Sequence, residues 1–298
     1  MTRVADRAFT ALIGIALLSS VILVALFLSL LSHLGEPVPA LVLALASIGI
    51  VLGLASLARQ LADTLALIRR LLRARVAMSG ALATEAAALG LGDRIDLVAD
   101  DRPFAFAYWF ARPRVCVSTG LVSRLEPDEL RAVLAHELWH VERRDPLRIV
   151  VARYFAAGLY VIPIVDDLVA HYDLVKEVAA DEHAVSALGD VRPLARALYR
   201  LMPHAEEMDM GLLTPVGGLS VTEARIEQLV EHRPIVARLP RLHVALSVAT
   251  LGAALVLLAG HTPLAGRLDI LLAWPPAALI ALAAVPGVAQ QLRVVAHR

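Results

Sequence analysis

The stretch from Phe9 to Leu34 carries no Asp, Glu, Lys or Arg, and neither does the stretch from Val38 to Ala58. A helix needs about 20 apolar residues to cross the hydrocarbon core of a bilayer, and both runs are long enough. Between them lies Gly35-Glu36-Pro37-Val38-Pro39, a tight turn. The first run is too long for the core of a signal peptide, and no small-residue cleavage site leads into a soluble chain. Residues 1–58 therefore read as a transmembrane hairpin, with spans at 9–34 and 38–58. A mean hydropathy of +0.69 and an apolar share of 58% lie above the range of soluble globular proteins and agree with this. Leu242 to Gly260 and Leu268 to Ala289 are two further apolar runs, the last bent by Pro275-Pro276. Residues 239–298 read as a second hairpin.

The arginines orient both hairpins. Arg3 and Arg7 precede the first span, and Arg59, Arg69, Arg70, Arg73 and Arg75 follow the second, with none in the turn. Arg238 and Arg241 lie before the first span of the second hairpin and Arg293 and Arg298 after its second, against Arg267 in its loop. Positive charge stays on the cytoplasmic side. The expectation is a multi-pass protein of the cell membrane with both termini, and everything in 59–238, in the cytoplasm.

Within 59–238, Arg59 to Leu91 reads as a helix, with Leu61, Leu65, Ile68 and Leu72 at helical spacing. It lies either on acidic lipid headgroups or against its own domain. Ile95–Val98, Phe104–Tyr108 and Arg114–Ser118 are short, β-favouring and separated by turn residues, which points to a small sheet. Glu126 to Arg144 reads as a helix. Pro127, Asp128 and Glu129 suit its N-terminus, and Arg143-Arg144-Asp145-Pro146 are stop signals. Leu147 to Val165 is apolar but contains Arg148 and Arg153. Asp173 to Leu188 reads as a helix, and Asp190 to Pro234 as polar and helical in pieces, with breaks at Pro203, Pro215 and Gly217-Gly218. The lone cysteine, Cys116, excludes an internal disulfide and reads as a small buried hydrophobe. The charge balance of zero and the lack of a basic stripe speak against direct contact with nucleic acid.

The chemistry lies in His136-Glu137-Leu138-Trp139-His140. Two histidines four apart on a helix share a face, where one zinc ion takes both imidazoles. Glu137 is then placed as general base toward a water at that ion. A zinc hydrolase needs a third protein ligand and an open position. Arg143 and Pro146 rule out the extended metzincin motif, and Glu142 faces away from His140. Glu177 is the best candidate for the third ligand. Asp181, one turn further, is suited to hydrogen-bond the outer nitrogen of a ligating histidine. His183 points elsewhere and reads as structural. If Leu147–Val165 crossed the membrane once, Glu177 would lie on the far side from His136. The stretch therefore reads as a buried or membrane-dipping helix that returns to the cytoplasmic side. Arg225, Tyr172 and His204 are candidates for stabilising the oxyanion of peptide-bond hydrolysis. An extended substrate is expected along an edge of the sheet.

Residues Arg112 to Leu121, Leu125 to Arg131 and Ala132 to Pro146 resemble the BlaR/MecR-type membrane metallopeptidases. The zinc motif and the later Glu177-x-x-x-Asp181 resemble the related HtpX and CAAX-prenyl endopeptidases, and Thr222 to Leu229 is similar to a late block of both groups. The resemblance implies zinc on His136, His140 and Glu177, with Glu137 catalytic. In the HtpX group a His-Pro pair precedes that late block, where this chain has Leu219-Ser220-Val221. BlaR/MecR proteins carry an extracellular penicillin-binding sensor after their last span, and this chain ends soon after Ala289, so a protease module without that sensor is expected.

The fold expected is a mainly α membrane protein. Two transmembrane helix hairpins flank a cytoplasmic α+β, gluzincin-like zinc protease domain with a small β-sheet. Its partners would be the lipid bilayer and a protein or peptide substrate, either a cytosolic protein such as a BlaI-like transcriptional repressor or, in an HtpX-like role, membrane proteins under quality control. A non-catalytic membrane scaffold is the alternative from another class, and the intact Glu137 argues against it.

Overall fold

A computed structural model describes residues 2–33, 37–109, 112–201, 239–260, 278, 280, 281, 283 and 284. The candidates Arg225 and His204, and most of the span expected at 268–289, lie outside them. Helices α1 (Thr2–Leu30), α2 (Pro37–Arg73) and α3 (Gly80–Ala88) lead into strands β1 (Ile95–Val98), β2 (Ala105–Trp109) and β3 (Pro113–Ser118). Helices α4 (Thr119–Arg124), α5 (Pro127–Arg143), α6 (Asp145–Gly158), α7 (Ile164–Leu188), α8 (Arg192–Leu201) and α9 (Arg241–Gly260) follow. Among the described residues three helices are long and apolar enough to cross a membrane: Arg3–Leu30, Pro39–Arg73 and Arg241–Ala259.

The described residues within 1–6, 59–150 and 173–236 form one compact unit, and those within 7–58, 151–172 and 237–298 a second. The first is built on a three-stranded sheet of order β1-β3-β2, parallel between β1 and β3 and antiparallel between β2 and β3. The alternation of β2 sorts its side chains. Ala105 and Ala107 join Val115, Val117 and the apolar face of α5, while Phe104, Phe106 and Tyr108 meet Ile68 and Leu71 of α2 on the other face. The alanines leave room for α5 to lie close on the sheet.

The helix expected over Arg59–Leu91 is two helices. α2 runs on from the second apolar run to Arg73, and the chain then pairs with the free edge of β1: Val76 N donates to Leu97 O at 2.9 Å and Ala99 N to Ala74 O at 2.8 Å. Edge hydrogen bonds outcompete helix propagation there, and α3 begins afresh at Gly80, which has a φ of 64°.

In the second unit α1, α2, α6, α7 and α9 share one apolar cluster. Here too the stretch 147–165 differs from a single helix. α6 has 14 residues, about 21 Å at 1.5 Å each, short of a ~30 Å hydrocarbon core. The chain turns after Gly158 and α7 starts at Ile164, nine positions ahead of the expected Asp173. Val165, Leu168 and Val169 are buried in the cluster, and this packing extends the helix backwards. A Cβ on Gly49 would stand 2.6 Å from Gly158 O, so α2 and α6 approach backbone to backbone. The Tyr160 hydroxyl donates to Leu45 O at 2.9 Å, and Ile164 N donates to the Ser247 hydroxyl at 3.1 Å.

Candidate metal centre

Helix α5 starts with Pro127 in its first turn, and Glu126 N donates to Glu129 Oε2 at 3.1 Å. It stops at Arg144, which adopts the left-handed conformation with a φ of 57°. Apolar residues from Leu130 to Val141 fix its buried face, and His136, Glu137 and His140 lie on that face. Helix α7 brings Glu177 and Asp181, both buried, beside them.

His136 Nε2 and His140 Nε2 are 3.2 Å apart. Glu177 Oε2 stands 3.4 Å from His136 Nε2, and Oε1 stands 3.7 Å from His140 Nε2. These three side chains are the group among the described residues whose donor atoms cluster closely enough to hold a metal ion. Zinc–nitrogen bonds of about 2.0–2.1 Å in a tetrahedron put neighbouring donors about 3.3 Å apart. The two shorter separations match that edge, and two imidazoles with one carboxylate form a common zinc donor set.

The outer ring nitrogens are also held. His136 Nδ1 is 2.9 Å from Asp181 Oδ1, and His140 Nδ1 is 2.8 Å from Asp145 Oδ2. An ionised carboxylate only accepts, so each Nδ1 carries a ring proton and each Nε2 is the atom turned toward the shared space. Lys176, the sole lysine of the chain, is buried and donates to Glu177 Oε1 at 2.6 Å.

The electrostatics follow from these contacts. Burial raises the Glu137 carboxyl above its ordinary value; the two histidines and an N–H donated by Ala107 oppose this, and the opposition falls short. Burial would raise Glu177 too, but Lys176 and His140 overcome it and hold this carboxyl well below its usual range. Without an ion, burial works against a charged His140, yet Glu177 and Asp145 push its pKa up to about 10. A cation in the centre would take the place of that proton, so its binding would release protons and weaken as pH falls.

The Ala107 contact orients β2. Ser118 N donates to Phe104 O at 3.0 Å, so Phe104 faces β3 through its backbone, and with it every second residue of the strand. Ala105, Ala107 and Trp109 then turn their backbone groups outward, on the side of Glu137. Among the described residues no strand pairs with that edge.

Other candidates fall elsewhere. Glu142 is exposed. The His183 ring lies 5.5 Å from that of Trp139. Tyr172 is fully buried in the second unit with its ring 5.2 Å from Phe9, outside the metal set. Cys116 is buried, and burial pushes its thiol up to about 12, which makes it unreactive. Sequence reasoning missed Asp145, Lys176 and the Ala107 amide. In the sequence Asp145 reads only as part of a stop signal; a carboxylate just past the end of a helix that carries a ligating histidine is the signal that points to it.

The sequence model of Peptidase family M48 matches residues 71–173. The match takes in the sheet, His136 to His140 and Asp145, and ends before Glu177. Similar relatives include "Protease HtpX homolog 1" of Streptomyces coelicolor, 40% identical over 89 residues, 29% of this chain and 27% of that protein. The "Protease HtpX homolog" of Moorella thermoacetica is 46% identical over 65 residues, 21% of this chain and 22% of that protein. That of Aeropyrum pernix is 30% identical over 140 residues, 33% of this chain and 43% of that protein. The chain thus spans from about a fifth to under a half of the length of these relatives. These matches support a metallopeptidase module of the M48 kind, on the HtpX side of the resemblance; they lend nothing to a BlaR/MecR type.

Proposed function

We propose that the protein is an integral membrane, zinc-dependent endopeptidase that hydrolyses peptide bonds at the cytoplasmic face of the cell membrane. The observation that carries this reading is the buried set His136, His140 and Glu177 at ligand spacing, with the buried carboxylate of Glu137 beside it. His136, His140 and Glu177 would hold zinc, which when bound polarises a scissile carbonyl and makes water acidic enough to lose a proton near neutral pH.

The chain's own residues do the rest. Asp181 and Asp145 fix the two imidazoles. Glu137 would accept a proton from water and pass it to the leaving amine; burial raises its carboxyl pKa, which favours its holding the proton in transit. The Ala107 N–H aims the Glu137 carboxylate. The outward backbone groups of Ala105 and Trp109, with the Ala107 carbonyl, would pair with an extended substrate, as a strand adds to a sheet edge. Arg225 remains the candidate donor for the oxyanion. The arginines in the first turns of α1, after the second apolar run and at the start of α9 support the cytoplasmic orientation.

Purified full-length protein should hold about one zinc per chain, and chelation should abolish proteolysis. Glu137→Gln should keep the metal and lose about 10²–10⁴-fold in peptidase rate. Full activity in that variant would sink the mechanism. For the biological role, HtpX-like quality control of membrane proteins is favoured by the relatives' names, and a BlaI-like repressor as substrate has no support from them. Glu137→Gln used as a substrate trap in cells separates the two: membrane proteins retained on it support the first role, a cytosolic DNA-binding repressor the second.

A further inference from the structure

His136 is steadied by Asp181 from within a long helix, but the partner of His140 sits at a corner. Asp145 is the first residue of α6, directly after Arg144 in its left-handed conformation, and it is buried with its carboxylate on His140 Nδ1. Backbone bonds at Arg144 shape this corner locally, and a contact that spans both helices fixes its angle further.

Two arginines flank this corner, Arg143 on α5 and Arg148 on α6. Both reach the same carboxylate. Arg143 Nη1 donates to Asp6 Oδ2, and Arg148 Nη1 donates to Asp6 Oδ1 at 3.0 Å. Asp6 lies near the start of α1, far away in sequence, and is the last residue of α1 within the catalytic unit. Its neighbour Ala5 is buried with Trp139 of α5 and with Val175, Ala179 and Ala180 of α7. The Arg143 guanidinium also lies 4.6 Å from the centre of the Trp139 ring. The first turns of α1 are thus seated on both ligand-bearing helices. Isolated surface ion pairs contribute little; here one carboxylate uses each of its oxygens on opposite sides of a bend.

We infer that Asp6 is a positioning residue for the metal centre: by bridging Arg143 and Arg148 it sets the corner that presents Asp145 to His140. This rests on the metal centre proposed above. It also makes the first turn of α1, residues 2–6, a support of that centre.

The test uses the full chain in detergent and reads zinc affinity by competition with a chelator, together with thermal unfolding of the metal-free protein. Residues that orient metal ligands typically change affinity by about 10–100-fold, and Asp145→Asn should fall in that range. Asp6→Asn acts one step further out and should weaken zinc by roughly three- to tenfold. Asp6→Glu should recover part of the loss, and Arg148→Gln, which keeps Asp6 and removes one arm, should weaken zinc in the same direction. The deciding comparison is the double variant: Asp6→Asn should add nothing to Asp145→Asn, because both act on His140 through one route. Multiplying effects would overturn the inference, as would an unchanged affinity with only a lower unfolding temperature. A wild-type protein that binds no zinc would instead refute the metal centre itself.

Discussion

In the unit that carries the metal centre, buried charge is abundant and paired. Asp96, Glu129, His136, Glu137, His140, Asp145, Lys176, Glu177 and Asp181 are all buried there. In the other unit the buried side chains with polar atoms among the described residues are Ser19, Ser56, Ser247, Thr250, Tyr160 and Tyr172, all of them hydroxyls that stay uncharged at neutral pH. Its ion pair between His243 and Asp167 leaves both side chains partly exposed. The difference separates a unit that fixes charges in its interior from one that is packed by shape. Burying an ion costs several kcal/mol even after relaxation, so it persists only where partners and a task retain it. A metal centre is such a task. Helices in hydrocarbon are held instead by shape, by small residues and by occasional hydrogen bonds.

The largest expected effect tests the first half of this contrast away from the metal. Asp96 is buried in β1 and held by Arg114, Tyr108 and Arg75, the last at 3.0 Å. Asp96→Asn should destabilise the unit built on the sheet by about 1.5–3 kcal/mol, the range for hydrogen bonds to a charged group. Burial works to raise the Asp96 carboxyl, but its bonds to Arg114 and Tyr108 prevail and hold it below its ordinary value of 3.8. A group whose pKa is depressed on folding contributes its stability above the unfolded-state value and loses it as pH falls through the native one. The gap between wild type and variant should therefore be full at neutral pH and close below about pH 4. Unfolding measured at both pH values checks this; a gap that does not depend on pH would mean that shape, and not charge, holds this unit as well.

How much of this was legible follows the same division. Periodicity exposes whatever repeats along a helix or runs unbroken through a bilayer. The uncharged runs, the pairing of His136 with His140 and the pairing of Glu177 with Asp181 are all of that kind. Contacts made across corners and edges have no such period. Asp145 meets His140 only because Arg144 turns the chain left-handed. The Ala107 amide is backbone and leaves no mark in side-chain pattern. The break after Arg73 depends on a sheet edge whose strand comes later in the chain, and the early start of α7 on burial of Val165 and Leu168. The bridge from Asp6 joins segments separated by most of the chain's N-terminal half.

The next effect tests the second half of the contrast. Gly49→Ala places a methyl group 2.6 Å from Gly158 O and 3.3 Å from the Tyr160 ring. The obstacle is backbone, so the helices must part. Overpacking of this kind costs about 1–2 kcal/mol. Titration with a denaturing detergent reads the loss. Because the substitution leaves every buried charge in place, zinc affinity should stay within error of the wild type. A loss of stability with loss of metal would mean that the two units do not divide their work as drawn.

The smallest effect is also the sharpest probe, because it removes one hydrogen bond from the unit that is held by shape. Tyr160→Phe deletes the donor to Leu45 O and keeps the ring. Leu45 lies in a helix, and its carbonyl already serves the i+4 amide, so no backbone group is orphaned. Hydrogen bonds between helices in membranes average about 0.6 kcal/mol when measured by double-mutant cycles. The expected loss is therefore about a quarter of that for Asp96→Asn, and it should be the same at neutral and acid pH, since no charge is involved. A loss of 2 kcal/mol or more would place this bond among the main supports of the membrane unit, and polar contacts would then hold both halves of the molecule.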